Sequence, residues 1–558
     1  MKKMKNILLL LFIVFAMSSC EDFLQENPPT FISSTNYWKT ESDARTGCDG
    51  VYKALNDGSS NSIYGRWWPA VDVATDDVTS KVRRNNFAAW MSHSITSSHS
   101  WFDAWKMYSS FWVGISRANM VIHNVPNIEM DEAKRNAIVG EAKALRALFY
   151  YHLVRAYGDV PKVVHIVKGK EDYSLPRTNV ESIYDEIIVP DLKYAEENCQ
   201  DELHKGRITK WTAKVILADV YLTRAGWRRS SQGEFVQGDA SYWALARDKA
   251  KEIIDNSPHE LVTAPIVNGK NITPACGVPW SLENPFSKES MMELAHINEG
   301  GFGSWITREC SPFSNGLKFW GKGGAKPLLK EGIKKNVIQM RFPGKPAASG
   351  MFIPSVDLWR SFEAGDERKD WGLMTRYITP EGDNYLCQPT FRKYVDTDYF
   401  LGKENTTFMN TNVNFIMYRY ADALLIYAEA ANEVKASVNG DDAYDAINEV
   451  RNRAGLADLP GGLSQEDFRK AVWHERRVEF HAECKRKFDL VRTNRLKTET
   501  ANIAVKWEKS DGAAIAFVNS HAEYTGTQVW PDHEWLFPIP ETELNLNKEN
   551  GWVQNEGY

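Results

Sequence analysis

The stretch Tyr418-Arg419-Tyr420-Ala421-Asp422-Ala423-Leu424-Leu425-Ile426-Tyr427-Ala428-Glu429-Ala430 decides the fold class of this chain. Its apolar residues recur every three or four positions, and this spacing places them on one face of an α-helix. A second helical pattern, residues 443–453, follows the turn Asn439-Gly440-Asp441, and Gly in such a turn is typical of a break between helices. The sequence therefore predicts two neighbouring helices in this region.

The two helices carry small and aromatic residues where they would face each other. Tyr427 and Ala428 would meet Ala443 and Ile447, as in tetratricopeptide-like helix pairs, which hide their apolar faces only by stacking on neighbours. The match to the 34-residue consensus of those repeats is weak, so periodicity alone predicts a helical scaffold. Similar helical spacing recurs in residues 101–123, 141–157, 211–225, 242–254 and 468–484.

Helical spacing is lost over residues 59–100 and 261–412, where Gly, Pro, Asn and aromatic residues dominate. Loops of this length inside a compact protein are usually functional or disordered. The density of tryptophan argues against disorder, so we predict ordered loops. The expected architecture is mostly α-helical, with a scaffold from residues 36–58, 101–256 and 413–495 decorated by long irregular loops.

The N-terminus carries a targeting signal. Lys2, Lys3 and Lys5 precede an apolar run, residues 7–17, which is shorter than the roughly 20 residues needed to span a bilayer. This pattern is typical of a cleaved secretory signal. The run ends in Met17-Ser18-Ser19-Cys20, which resembles a bacterial lipobox, so we predict a lipoprotein signal peptide over residues 1–19 and lipidation of Cys20. An ordinary signal peptide with a chance Cys is the alternative.

Charge and cysteine spacing exclude several classes of protein. The 558-residue chain has a formal net charge of −6 and no basic block, which excludes nucleic acid as a partner because that affinity depends on Lys and Arg. The remaining cysteines are scattered and form no C-x-x-C pair, so neither a disulfide scaffold nor a zinc site is expected. Most should be buried free thiols, with one bridge, Cys276–Cys310, left open.

Several blocks spread over the whole chain make the sequence recognisable. They occur in the order in which SusD/RagB outer-surface nutrient-binding lipoproteins of Bacteroidetes carry them, and the chain resembles that family. Two departures are Cys484, usually Gly, and Lys487, usually aromatic. Besides the stretch quoted first, the blocks include Cys20-Glu21-Asp22-Phe23-Leu24, Ala142-Lys143-Ala144-Leu145-Arg146-Ala147, Tyr157-Gly158-Asp159-Val160-Pro161, Val450-Arg451-Asn452-Arg453-Ala454-Gly455, Glu475-Arg476-Arg477 and Gln554-Asn555-Glu556-Gly557-Tyr558.

The resemblance implies a fold and a function. It implies one domain over residues 20–558 with about four tetratricopeptide-like helix pairs, held at the exterior of the outer membrane by its lipid anchor. It also implies a partner, a SusC-like TonB-dependent transporter on which the protein sits as a lid. The implied ligand is an oligosaccharide or polysaccharide, although RagB-type members handle peptides.

Candidate ligand-binding residues lie in the two irregular stretches, where the family builds its ligand surface. Flat aromatic rings cover the apolar faces of sugars, and polar side chains pair with the hydroxyls. Any one of these tryptophans could instead hold its own loop on the scaffold. The candidates are Trp67, Trp68, Asp76, Asp77, Arg83, Asn85, Trp90 and Trp101 in or beside the first stretch, and Trp280, Trp305 and Trp320 in the second.

Enzyme signatures are absent from the sequence. His474-Glu475-Arg476-Arg477-Val478 begins like a zinc-protease motif but lacks its second His, and no nucleophile elbow or phosphate-binding loop occurs. We therefore predict no catalytic residue, no metal and no cofactor. Asp396 and Asp398 hint at calcium but lack the Gly of an EF-hand loop. A surface glycoside hydrolase with carboxylates distant in sequence remains the alternative from another class.

A cluster of charged residues near the C-terminus has a different predicted role. Its acids and bases alternate along the last helical segments, and we expect them to form a structural network that locks those helices together. The cluster comprises Glu475, Arg476, Glu483, Arg486, Asp489 and Arg492.

Overall fold

The computed structural model describes residues 37–56, 63–64, 71–73, 75–80, 93–98, 104–172, 174–203, 205–268, 271–297, 303–304, 306–310, 318–322, 337–339, 352–378, 383–395, 411–501, 507 and 530–558. These residues are mostly helical, as the sequence predicts. The predicted signal peptide, residues 1–19, and Cys20 lie outside them. None of the helices described is both long and apolar enough to cross a membrane.

The N-terminal half forms a continuous array of packed helices. α1 packs on α2, α2 on α3, α3 on α5, α5 on α6, and α6 on α7. Each helix thus buries its apolar face mainly against its neighbours in the chain, as in stacked helix pairs. The helices are α1 Glu41–Tyr52, α2 Ala104–Asn124, α3 Glu132–Tyr157, α4 Val180–Ile183, α5 Val189–Asn198, α6 Lys210–Ala225 and α7 Ser241–Asn256, with a π-helical turn, Tyr184–Ile188, between α4 and α5.

The central helix of this array is α3. Asp131 caps its start by accepting a hydrogen bond from the backbone N–H of Lys134 at 2.9 Å, which satisfies an otherwise free donor. The helix ends at Gly158, whose φ of 74° few other residues adopt. Phe149 and Tyr151 have no exposed surface, and helices buried all round sit in the middle of a core.

The C-terminal helices continue the array. α11 packs directly on α7 as well as on α12 and α13, although residues 257–419 separate α7 from α11 in the sequence. Those residues are therefore an excursion from the frame, and residues 53–103 form a similar excursion between α1 and α2. The helices are α8 Ile306–Cys310, α9 Val356–Ser361, α10 Glu367–Gly372, α11 Tyr420–Val434, α12 Asp442–Arg453, α13 Gln465–Glu479, α14 Arg486–Arg492, α15 Leu496–Thr500 and α16 Glu541–Leu546.

The second excursion contains more regular structure than the loops predicted there. Its strands form a four-stranded sheet in the order β10-β12-β13-β9, in which β10 and β12 are parallel, and β8 pairs with β14. β8 and β14 were not predicted from the sequence. Both strands are buried along their whole length, so they lack the alternation of apolar and polar residues that identifies a half-exposed strand. These strands are β8 Ser290–Leu294, β9 Lys318–Lys322, β10 Val337–Gln339, β12 Leu373–Ile378, β13 Asp383–Phe391 and β14 Phe415–Arg419.

The remaining strands form short two-stranded ladders. β1 pairs with β11, β2 with β3, β4 with β5, and β6 with β7, all antiparallel. They are β1 Val78–Ser80, β2 Val160–Pro161, β3 Arg177–Thr178, β4 Trp227–Arg229, β5 Phe235–Gln237, β6 Ile266–Asn268, β7 Asn271–Thr273 and β11 Phe352–Pro354.

The cysteines of the described residues are buried free thiols, as predicted for most of them. The bridge between Cys276 and Cys310 that the sequence left open is not formed. The two thiols lie in different surroundings: Cys276 is close to Arg453, whereas Cys310 is close to Cys484 and Tyr394.

Candidate functional site

The two irregular stretches meet at the ladder of β1 and β11. Val78 lies opposite Pro354, and Ser80 lies opposite Phe352. β1 belongs to the first stretch and β11 to the second, so the ladder brings the two excursions side by side although they are far apart in sequence. Arg83, the first of the candidates that follow β1, comes three positions after Ser80.

Asp76 and Asp77 do not lie on an open surface. They are 2% and 1% exposed. Arg486 donates to both oxygens of Asp76, from Nε at 2.9 Å and from Nη2 at 2.6 Å. Arg477 donates from Nε to Asp77 at 2.6 Å. These carboxylates are shielded from solvent and held by guanidinium groups, which favours a structural role, and their part in ligand binding stays a prediction.

The same two residues fasten β1 to the start of α9. The Ser355 backbone N–H donates to the Asp77 carbonyl at 2.9 Å, and the Ser355 hydroxyl donates to the Asp76 carbonyl. Burial alone would raise the pKa of Asp76, but the positive charges of Arg486 and Arg477 outweigh it and lower that pKa to about 2. The carboxylate is therefore ionised at neutral pH and holds the base of the first stretch on the frame.

Trp280 packs on the charged core of the protein. It ends the 3-10 helix Ala275–Trp280 and is half-buried. The Lys393 ammonium lies 4.3 Å and the Arg419 guanidinium 5.1 Å from its ring centroid, distances typical of cation–π contacts. These contacts hold Trp280 on the frame, and its part in ligand binding stays a prediction.

Most other candidates fall where the structure gives no side-chain description. Trp320 lies on β9, of which only the backbone is described. Their placement at a ligand surface stays a prediction. The candidates outside the described residues are Trp67, Trp68, Arg83, Asn85, Trp90, Trp101 and Trp305, and so are Asp396 and Asp398.

A buried charge network joins the end of the second excursion to the last helices. Arg419, at the end of β14, is 0% exposed. Its Nη1 donates to Glu289 at 2.8 Å and to Glu479, and its Nε donates to Glu483 at 3.0 Å. Burial alone would raise the pKa of Glu483, but Arg419 and Lys393 lower it to about 2. Such fully paired groups can remain charged inside a protein.

The network extends through α10 and α12. Arg368 donates to Glu475 at 2.5 Å and to Glu479 at 2.9 Å, and Arg453 also reaches Glu479. Lys393 donates to the backbone carbonyl of Glu479 at 2.9 Å, so a cation sits at the C-terminal end of α13, where the helix dipole favours it. The sequence pattern did not identify these partners. Arg368 and Lys393 lie in the irregular stretch 261–412, and Arg453 lies on α12, so all three are outside the predicted C-terminal cluster.

The predicted C-terminal cluster is confirmed as part of this structural network. Arg476 donates twice to Asp489, each time at 3.0 Å. Arg492 donates to Glu429 and to Asp489, in both cases at 2.8 Å or less. These contacts tie α14 to α11 and α13, as the alternation of acids and bases suggests.

His481, which follows the zinc-protease-like motif, is a buried structural residue. His481 is 2% exposed, and its Nδ1 lies 2.8 Å from the carbonyl oxygen of Val478. Burial lowers the pKa of His481 well below its usual range. Among the described residues, no group of His, Cys, Asp or Glu is placed to hold a metal ion.

Two small cavities lie on either side of Arg155. The first, about 40 Å³, is lined by residues that include Tyr64, His152, Asp219 and Lys485. The second, also about 40 Å³, lies between α3, α6 and the C-terminal segment. A water molecule needs roughly 10–15 Å³ of such space, so each cavity holds about three waters and neither admits a sugar ring.

Two family models match most of this architecture. Residues 330–558 match the model described as the SusD family. Residues 23–222 match the model described as starch-binding associating with outer membrane. The chain is a SusD-like family protein. The resemblance seen in the sequence blocks is therefore confirmed.

Several SusD-like relatives align with more than nine-tenths of the chain. SusD-like protein P25 of Formosa agariphila is 28% identical and aligns with 98% of this chain and 97% of its own length. A SusD homolog from Bacteroides thetaiotaomicron has 22% identity and a TM-score of 0.70, over 94% of this chain and 99% of that one. Surface glycan-binding protein A from Bacteroides fluxus has 21% identity and a TM-score of 0.68, over 93% and 100%. The predicted helical fold, with its tetratricopeptide-like pairing, is confirmed.

Proposed function

We propose that this SusD-like protein captures oligosaccharides or polysaccharides at the cell surface and delivers them to a SusC-like TonB-dependent transporter. In this proposal Cys20 carries the lipid anchor, and the mature chain faces the exterior. The observation that carries the proposal is the β1–β11 ladder, which joins two tryptophan-bearing excursions on one helical frame. A surface assembled from both excursions would offer several flat rings to one extended polymer.

The binding strength expected from such a surface suits transport. Each ring stacked on a sugar contributes about 1 kcal/mol beyond its burial. Two or three rings with several hydrogen bonds give about −4 to −8 kcal/mol, which is millimolar to micromolar affinity. A receptor that must release its cargo to a transporter works best in this range. The name of the Bacteroides fluxus neighbour, a surface glycan-binding protein, supports the same ligand class.

The first experiment measures glycan binding by residues 21–558. Affinity electrophoresis against a panel of neutral and acidic polysaccharides selects the polymer, and calorimetry gives its affinity. We expect at least one polymer to bind, and Trp67→Ala, Trp68→Ala, Trp90→Ala and Trp305→Ala to include variants that weaken it tenfold or more. Trp243→Ala is the matched control, because Trp243 is a half-buried tryptophan of α7, outside both excursions.

The outcomes of this experiment separate the alternatives. Binding to a mixed peptide pool but to no glycan would replace the proposal with a RagB-type peptide receptor. Release of sugar products from a polymer would replace it with a hydrolase. If every tryptophan variant binds as well as the unaltered chain, the loop surface is not the binding site.

A second experiment addresses anchoring and delivery. We expect the full-length protein to fractionate with the outer membrane and to co-purify with a TonB-dependent transporter. Cys20→Ser should release it to the soluble fraction without changing the glycan affinity of the purified domain. A Cys20→Ser protein that stays in the membrane fraction would refute lipid anchoring at this residue.

A further inference from the structure

The second cavity is an arginine-lined cleft at the edge of the helical array. It lies where the end of α3, the end of α6 with β4, and α14 meet the C-terminal segment at Trp535 and Leu536. The charged residues of its wall are mostly positive. They are Arg155, Arg224, Arg228, Arg229 and Arg492 on the basic side and Glu181 on the acidic side.

Two positive charges of this cleft, those of Arg224 and Arg229, are buried, whereas the acids that pair with them are largely exposed, including Glu181, which is 40% exposed and accepts from Arg224. The side chains of Arg224 and Arg229 are 4% and 6% exposed. Their partners Asp185 and Glu556 are 62% and 56% exposed. An exposed carboxylate is hydrated and free to change rotamer, so it holds a buried guanidinium weakly and can be displaced by a competing anion.

Several guanidinium N–H groups of the cleft have no hydrogen-bond acceptor in the described part of the chain. Among the described residues, Nε and Nη1 of Arg229 and Nε of Arg224 are buried without a hydrogen-bond partner. Nε of Arg155 is in the same state. Native proteins rarely leave buried donors unpaired, and each such group calls for a water or ion that would satisfy it.

We propose that this cleft binds a small oxyanion, that is, a carboxylate, sulfate or phosphate group, between Arg224, Arg228 and Arg229. The planar fork of arginine matches two oxygens of such a group. The cavity of about 40 Å³ has room for about three waters, which suits one such group and excludes a whole sugar. The occupant is either a free inorganic anion or the acidic substituent of a larger molecule. The inference does not depend on which polymer the loops bind.

Equilibrium dialysis of residues 21–558 with radiolabelled phosphate and sulfate tests this directly, at ionic strength held constant with NaCl. We expect saturable binding of one anion per chain. Unlabelled glucuronic acid and a sulfated monosaccharide, added as competitors, distinguish the two sources. An acidic sugar that competes better than inorganic anion identifies a charged substituent as the occupant.

Two variants with opposite expected effects on anion affinity make the test specific. Arg229→Gln should weaken binding about tenfold or more, because it removes a charged donor from the cleft. Glu556→Gln should strengthen binding several-fold, because it removes the exposed carboxylate that competes for Arg229. Glu556 is largely exposed, so this variant stays informative if Arg229→Gln fails to fold.

Arg247→Gln on α7 is the matched control. Arg247 forms an ion pair with the adjacent Asp248, its single ion-pair partner in the described part of the chain, and lies outside the cleft. The proposal is overturned if phosphate, sulfate and the acidic sugars all fail to bind saturably. It is equally overturned if Arg229→Gln and Glu556→Gln bind anions as the unaltered chain does.

Discussion

Arg419 and Glu483 are joined by two parallel hydrogen bonds, Nε to Oε2 at 3.0 Å and Nη2 to Oε1 at 2.9 Å, and neither side chain reaches solvent. Arg419 ends β14, where the second excursion returns to the frame, and Glu483 follows α13. The pair therefore joins the return point of the excursion to the last helices. Removing one partner of a buried pair costs far more than the intact pair contributes, because a buried charge is left alone.

Arg419→Met should lower the free energy of unfolding by about 3–5 kcal/mol. Methionine leaves Glu289, Glu479 and Glu483 without their shared cation. Urea denaturation measures the loss, and Arg247→Met, at an exposed pair, should cost at most about 1 kcal/mol. Equal losses in the two variants would contradict the role assigned to Arg419.

Lys487→Met should stabilise the protein at neutral pH and do so less as the solution becomes alkaline. Lys487 is 1% exposed and lies 3.9 Å from the ring centroid of Phe537. Burial lowers the pKa of its amine to about 7, although Glu534 and Asp72 act in the opposite direction.

The direction of this pH dependence follows from the difference between the pKa of Lys487 in the folded protein and its pKa in the unfolded chain. The unfolded chain keeps the lysine proton up to about pH 10.4, so the folded state is penalised in full below pH 7 and less and less between pH 7 and 10. The methionine variant should gain about 2–4 kcal/mol near pH 6, and the gain should fade by pH 10. Urea midpoints at four pH values check this, and a gain that does not vary with pH would refute it.

Gly114→Ala should destabilise the protein, whereas Gly50→Ala should not. A Cβ at Gly114 on α2 would lie 2.4 Å from the ring of Phe149, which is itself fully buried. We expect a loss of about 1–3 kcal/mol from overpacking. A Cβ at Gly50 on α1 meets nothing within 4 Å, so the better helix propensity of alanine should add about 0.5–1 kcal/mol. Thermal midpoints of the two variants, measured together, should shift in opposite directions.

Asp76→Asn should reduce stability and leave the glycan affinity of the folded protein within about twofold. The change removes the negative charge opposite Arg486 and Arg477, which costs about 2–4 kcal/mol for a buried pair. Calorimetry with the selected polymer and urea denaturation measure the two effects separately. A large loss of glycan affinity at unchanged stability would indicate that Asp76 takes part in ligand binding.

Local pattern was sufficient for the long helices of the frame. It was insufficient for the strands and for the short helices α8, α9 and α10, which lie in a segment predicted to be irregular. Residues 418–430 show both cases. Tyr420 begins α11, as the helical periodicity predicts, but Tyr418 and Arg419 belong to β14. Burial on both faces removed the alternation that would have identified that strand.

The roles of individual site residues depended on partners remote in the sequence. Asp76 and Asp77 lie in an irregular stretch whose aromatic and polar residues are typical of a sugar site. Their partners Arg486 and Arg477 lie 410 and 400 positions away, and no local pattern shows that these residues meet. The charged helical cluster was predictable because its acids and bases are neighbours on consecutive helices.

The direct packing of α7 against α11 has a consequence for how this protein changes over generations. Because α7 and α11 contact each other directly, mutations in residues 257–419 should be tolerated away from the charge network. Glu289, Arg368 and Arg419, which belong to that segment and pair with residues on or beside the last helices, should be retained. Loop length adds little to the entropy of closure. A lineage can therefore acquire new ligand preferences by altering one segment while inheriting an unchanged framework.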